Sequence, residues 1–229
     1  MPAAGGPTDL ARVSIRALRF ERFETRLRDG APVVVRPVEA SDKPLLLAGF
    51  RRLSARSRYA RFMSPVAELS EEQVRYLTEI DYRDHFAWAA VRGDWPEEGI
   101  GVARFVRLVG EPSVAEAAVT VLDEYQGRGL GTLLLGLLAV AARAAGVKAF
   151  RAYVREENEP MRELLLSLGA SADFDSPGVL RLDVPLDPQL LPDSPAARVL
   201  KAVAAQVIHV TGPPPHWIDA TGGPSVGRG

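Results

Sequence analysis

The chain has 229 residues, 47% hydrophobic and 25% charged, the make-up of an ordinary globular domain with a core rather than of a disordered chain. Lys plus Arg (28) nearly balances Asp plus Glu (29), and the formal net charge of −1 argues against a nucleic-acid binder driven by bulk charge. Cys is absent and His numbers three, which removes disulfides, thiolate metal sites and a Cys nucleophile, and gives no reason to expect a metal site.

Residues 1–21 read as an N-terminal extension whose Gly/Pro-rich start lacks the basic-then-apolar pattern of a secretory signal. Within it, residues 13–20 suit a strand or a helix. A β-hairpin is predicted over 22–37, with Asp29-Gly30 as its turn and Val33, Val34 and Val35 in the returning strand. Ser41 is the expected N-cap of a helix with Pro44 in its first turn and Leu45, Leu46, Phe50 and Leu53 at helical spacing. Ser70 and Gln73 form a capping-box pattern that opens a second helix. Between them, residues 56–62 read as a basic helix face with Tyr59 and Phe62 buried and the arginines solvated. Strands follow at 86–91, 100–108 and 114–122, then a glycine-rich loop and an apolar helix stopped by Gly146. A strand at 150–154, a short helix at 160–168 and a final strand at 179–184 complete an α/β (α+β) pattern.

Past Leu186 the prolines thicken. Residues 188–210 read as a linker and a docking helix with the stripe Val199, Leu200, Val203, Val207 and Ile208, and residues 211–229 as a disordered tail. The longest apolar run, 129–142, falls short of the roughly 20 residues of a membrane span. A cytoplasmic protein is the expectation.

The most informative segment is Gln126-Gly127-Arg128-Gly129-Leu130-Gly131-Thr132, directly after a strand and before a helix. Glycines there let the backbone approach a ligand closely. The free N–H groups and dipole of the helix N-terminus favour an anion, so the loop reads as a phosphate or pyrophosphate cradle. It lacks the Gly-Lys-Ser/Thr of a Walker A loop. It also lacks the GxGxxG spacing of a dinucleotide fold, and no Asp or Glu occurs between Glu124 and Glu156. A Gly-rich turn needed only for packing is the plainer reading.

Gln126, Gly129 and Gly131 match the Gln/Arg-x-x-Gly-x-Gly/Ala loop of the GNAT N-acetyltransferases. Together with Arg36-Pro37, Asp42, Ser57-Arg58-Tyr59, Arg61-Phe62, Ile80-Asp81-Tyr82, Ala115-Glu116 and the stretch from Asn158 to Leu168-Gly169, residues 31–186 resemble a GNAT domain, and within that superfamily the acetyltransferase domain of bacterial Pat-type protein lysine acetyltransferases. The resemblance places the acetyltransferase domain at 22–187. It implies a mixed, mostly antiparallel sheet flanked by helices, with a splayed cleft for acetyl-CoA as co-substrate and an amine, such as a protein lysine, as acceptor. It further implies that backbone groups of Val119 and Val121 meet the pantetheine and thioester, that Gln126, Gly127, Arg128, Gly129, Leu130, Gly131 and Thr132 hold the pyrophosphate, and that Asn158 binds the pantetheine arm. Asn158 also suits a plain helix N-cap before Pro160.

A lysine amine has a pKa of about 10.4, so transfer to it benefits from a base. Glu116, in the otherwise apolar run of residues 114–119, is the candidate, because a carboxylate is costly to bury without a role; a surface glutamate is the alternative. The Tyr that many GNAT enzymes carry seven residues after the Asn is Leu165 here. Tyr125 reads as packing beside the loop, and His85, at a helix-to-strand junction, as a structural surface residue rather than a substrate contact. Without Cys, the expected route is direct attack in a ternary complex. Two rival readings keep the pocket: a small-molecule amine acetyltransferase, and a non-catalytic acyl-CoA-binding regulatory domain.

Overall fold

The computed structural model describes residues 14–92 and 97–210; the expected leader and tail lie outside these. Eight strands form one sheet in the order β1-β2-β3-β4-β5-β6-β8-β7. Every neighbouring pair is antiparallel except β5 with β6. The predicted hairpin is β1 (Phe23–Arg26) and β2 (Pro32–Pro37), turned at Gly30 with φ +83°. β3 (His85–Arg92), β4 (Gly99–Leu108) and β5 (Glu111–Val121) form the centre, followed by β6 (Ala149–Arg155) and β8 (Val179–Pro185).

β7 (Ser171–Ser176) is a strand that hydrophobic patterning does not reveal. It is a nearly fully exposed edge strand with Phe174 69% exposed. Main-chain pairing with β8 forms it, not burial of an apolar face.

Two helical layers cover the sheet. On one face lies α5 (Leu130–Ala144), apolar nearly all round because α7 (Pro195–Val210) covers the side turned away from the strands. α6 (Glu159–Ser167) lies beside them. On the other face lie α2 (Lys43–Arg52), α3 (Ala55–Phe62) and α4 (Glu71–Thr78); the short α1 (Ile15–Leu18) packs near α5. Ser70 and Gln73 make the capping box read from the sequence. The N-cap of α2 is Asp42 rather than Ser41, because a 3-10 turn at Ala40–Asp42 precedes it. There Arg36 grips both oxygens of Asp42 at 2.7 and 2.9 Å while also reaching Glu97 at 2.9 Å, fixing the start of α2 to β2.

The core joins Phe86, Trp88 and Phe105 with the inner face of α5. Phe86 and Trp88 meet edge to face, with centroids 5.0 Å apart. In the 188–210 segment, Ala197, Leu200 and Val203 of α7 are buried in this core, whereas Val199, assigned to the stripe, faces outward at 36% exposure, and the side chains of Val207 and Ile208 lie outside the described residues. Ser194 caps α7 by accepting from the Ala197 N–H at 3.1 Å, and its own hydroxyl donates to the Ser167 carbonyl at 2.6 Å. Among the described residues no helix is long and apolar enough to cross a membrane.

At the crossing of α5 and α7, a Cβ added at Gly136 would lie 3.3 Å from Val203 Cβ. Gly136→Leu is therefore expected to overpack the contact and lower stability by about 1–3 kcal/mol in urea unfolding. Unchanged stability would show that α7 does not dock there.

Candidate active site

The site follows from how β5 and β6 meet. They run parallel, joined through α5, and pair only at Val114↔Ala149, Ala115↔Phe150 and Glu116↔Arg151. Beyond Glu116 the strands part, while β5 stays paired with β4 and β6 stays paired with β8. The edge of β5 from residue 117 to 121 is therefore left without a neighbouring strand. The Leu122 N–H points to β4, where it donates to the Ile100 carbonyl at 3.0 Å. Alternation then turns the backbone groups of Val121, Val119 and Ala117 toward the gap. A cavity of about 30 Å³ lies where the strands separate, lined by Ala117, Val119, Ala152, Met161 and Leu165 among others.

The glycine loop closes the wide end of this gap. Gly127 and Gly129 have φ of +72° and +88°, conformations that favour glycine, and Gly129 is the N-cap of α5. The first helical amide to find an acceptor is Leu133, bonded to the Gly129 carbonyl. Among the described residues, the N–H groups of Gly127, Arg128, Gly129, Leu130, Gly131 and Thr132 donate to no protein acceptor. Six unsatisfied donors at the positive end of a 15-residue helix are an arrangement that favours an anion. A Cβ at Gly127 would meet nothing within 4 Å, so the loop stands open. The loop side chains are otherwise engaged. Leu130 is buried in the core, Arg128 pairs with Asp29 at 2.8 Å, and Gln126 donates from Nε2 to the Val121 carbonyl at 3.1 Å. Gln126 thus ties the loop to the end of β5.

Sequence reasoning assigned no role to the groups that frame this end. Arg28 packs against the loop, its Nε 3.3 Å from where a Gly129 Cβ would stand. Asp123 accepts from the Ser54 N–H at 3.0 Å and from the Ser54 and Ser57 hydroxyls at 2.8 Å, anchoring the start of α3 to the end of β5. Tyr59 on α3 meets Arg155 on β6, with its hydroxyl 3.2 Å from Nη1 and its ring 4.7 Å from the guanidinium carbon. The seryl–aspartyl pattern carried no distinctive signal, because its partners lie 66 and 69 residues apart.

Glu116 stands in the last pair before the strands diverge. It is exposed, so the cost of burial does not single it out; its position at the vertex does. Register places it on one face with Ala118 and Thr120, opposite the buried Ala115 and Ala117. Asn158 occupies the N-cap position of α6 but makes no capping bond with its side chain, which leaves its amide free for another partner. Leu165 is buried and lines the 30 Å³ cavity, so α6 brings no phenol to it. Tyr125 is buried beside the loop as expected, with Arg128 over its ring at 5.1 Å.

His85 is not at the surface. It is a buried residue of β3 whose ring lies 5.1 Å from that of Tyr76 at a tilt of 38°, and its Nε2 lies 3.0 Å from Arg104 Nη1. Burial and the neighbouring Arg104 charge, against a weaker pull from Asp81, lower its pKa to about 4. The arginines expected to be solvated divide as well: Arg61 turns into a pocket beneath α2. Among the described residues no cluster of three His, Cys, Asp or Glu side chains is arranged to hold a metal ion.

A parallel strand pair that splays after three residues, with a glycine loop across its mouth, is the layout that the resemblance to acyl-CoA-dependent transferases implies. The sequence of residues 33–171 matches the acetyltransferase (GNAT) domain family. The chain is also 37% identical over 180 residues to the acetyltransferase Pat of Mycolicibacterium smegmatis, a match covering 77% of this chain and 54% of Pat. An acetyltransferase of Pseudomonas aeruginosa is 31% identical over 154 residues, 67% of this chain and 82% of its own. The crystal structure of the GNAT domain of Streptomyces lividans PAT superposes with a TM-score of 0.66 at 30% identity, covering 72% of this chain and 96% of that domain. The chain belongs to the GNAT acetyltransferase family, whose co-substrate is acetyl-CoA, and it spans about half the length of the Mycolicibacterium relative.

The His85 environment makes a pH prediction. The unfolded chain binds this proton below about pH 6.5, whereas the folded chain binds it only near pH 4. The unfolded state therefore holds more protons across that window, and the contribution of His85 to stability is lost as pH falls from 6.5 to 4, by an amount of the order of 3 kcal/mol. Urea unfolding at stepped pH is expected to show His85→Gln losing that part of the slope. An unchanged slope would contradict a neutral, buried His85.

Proposed function

We propose that the protein transfers the acetyl group of acetyl-CoA to a primary amine, a protein lysine, by direct attack within a ternary complex, with Glu116 as general base. The observation that carries this reading is the set of six unpartnered amides from Gly127 to Thr132 at the mouth of the splayed strands. They fit a pyrophosphate, and the bare β5 edge fits the amide-bearing arm that runs from it. The Asn158 side chain, free of a capping role, would bond the same arm from the β6 side.

The rest follows from placement. Glu116 takes a proton from the acceptor ammonium, directly or through water, and the neutral nitrogen attacks the thioester carbonyl. As the C–N bond forms, the carbonyl oxygen becomes an oxyanion, to which an N–H of Val119 or Val121 on the bare strand edge donates. The nitrogen of the intermediate gives up its second proton to water, and collapse breaks the C–S bond and releases coenzyme A as a thiolate. With Leu165 where a phenol stands in many relatives, water protonates that sulfur; a thiolate is a good enough leaving group for this. The exposure of Glu116 suits a long side chain reaching in from the surface of another protein. Resemblance to the Pat-type domains supports the same acceptor.

Glu116→Gln is expected to lower amine-dependent release of CoA thiol by about 10²-fold or more while acetyl-CoA affinity stays within about twofold. Because the side chain is exposed, the substitution leaves folding intact. Full activity in the variant would remove Glu116 from the chemistry, and acetyl-CoA binding without transfer to any protein or small amine by the wild type would favour a regulatory acyl-CoA-binding domain.

A further inference from the structure

On the face of the sheet that carries Glu116 lies a second and larger cavity, of about 90 Å³, between the strands and α2, α3 and α4. At roughly 10–15 Å³ per water it holds more than a single molecule. Its walls are largely aliphatic and aromatic, with Leu45, Leu46, Phe50, Leu53 and Leu77 prominent among them. Two cations stand in this apolar setting, Arg61 from α3 and Arg104 from β4.

Their partners are unusual. Arg104 is 4% exposed, yet it meets no carboxylate among the described residues. Its Nη2 donates to the Leu77 carbonyl at 3.1 Å and its Nη1 faces His85 Nε2 at 3.0 Å, both neutral groups. Arg61 makes no ion pair among the described residues. Among the described residues the one acid lining the cavity, Asp42, has both oxygens taken by Arg36. Glu116 is close enough for its charge to be felt at Arg61, but one carboxylate against two guanidinium groups leaves a net positive charge. Burial, then the charge of Arg61, lower the pKa of Arg104 to about 9, which leaves it cationic at neutral pH. Unneutralised cations in an apolar cavity are costly unless an anion joins them.

The cavity also borders the reaction path. Thr120 of β5 is in its wall, and Arg104 pairs in register with Ala118, so only one strand spacing of about 4.8 Å separates Arg104's strand from the bare edge of β5. We propose that this cavity is a binding subsite for a carboxylate on a short aliphatic chain, with Arg61 and Arg104 as its recognition groups. The chain is either the tail of an ω-carboxyacyl thioester of coenzyme A, lying on the cleft described above, or a free short-chain carboxylic acid. In the first case the inference rests on the acyl-CoA reading and extends it to the choice of acyl group. The carboxylate itself takes no part in bond making.

Calorimetric titration with a matched pair of unreactive CoA thioethers, one with a four-carbon tail ending in carboxylate and one ending in methyl, tests the first source; succinate and butyrate followed by amide NMR test the second. The carboxylate-ended thioether is expected to bind at least about tenfold tighter than its methyl partner, or succinate to shift amides around Arg104 and Arg61 at concentrations where butyrate does not. Arg61→Met and Arg104→Met should each bring the ratio to about one with CoA affinity preserved; Arg61→Met, at a partly exposed helix position, keeps the test valid should the buried substitution unfold the chain. Equal affinity of the two thioethers, together with no response to succinate or butyrate, overturns the proposal. CoA binding in the same titration separates that failure from failure of the acyl-CoA reading, which would show as no binding by any CoA derivative.

Discussion

The structure depends on one feature of its sheet, the separation of two parallel strands after three residue pairs. A strand edge without a neighbour inside a domain is normally unfavourable, because its N–H and C=O groups lose water without gaining partners. Here β5 keeps β4 on one side and β6 keeps β8 on the other, so both strands are held in place while the gap between them stays open. The wedge converts unsatisfied backbone into a binding surface. α5 packs beneath β3, β4 and β5, and α7 covers the far side of that helix.

Charge is arranged around the same wedge. The wide end has the amides of the glycine loop and the dipole of α5, suited to a phosphate group. The vertex has Glu116, suited to an ammonium group. The face of the sheet away from α5, the one that carries Glu116, holds Arg61 and Arg104 in an apolar cavity where Asp42, already paired with Arg36, is no partner for them. Backbone amides require no particular side chains around them, which is why the loop's Arg128 and Gln126 are free to bond to the hairpin and to β5. The loop is positioned by those contacts and by Arg28, and its binding capacity resides in the main chain.

Much of the frame could be read from residues alone. Asp29-Gly30 gave the hairpin, Ser70 and Gln73 the capping box, and Gly127 to Gly131 the strand-to-helix turn, because in each case a local physical requirement selects the residue type. What failed had a tertiary cause. β7 buries almost nothing and leaves no periodic signature. Val199 fits the helical stripe of α7 but lies at its margin, where α5 no longer covers it. Glu116 was expected to be notable for burial and is exposed, its interest coming from a divergence of strands that no window of sequence contains. Arg61, His85 and Arg104 looked like surface residues or went unremarked, since their encounter requires α3, α4, β3 and β4 to be stacked first.

In the function proposed above, main-chain donors of residues 127–132 and the bare edge of β5 grip coenzyme A. Backbone amide NMR during titration with CoA tests it most directly. The largest shifts and the strongest new protection from exchange are expected at residues 127–132, with a second set along 117–121 and little change on β1, β7 or β8. Saturable binding whose shifts cluster elsewhere, with the loop amides unmoved, would contradict it.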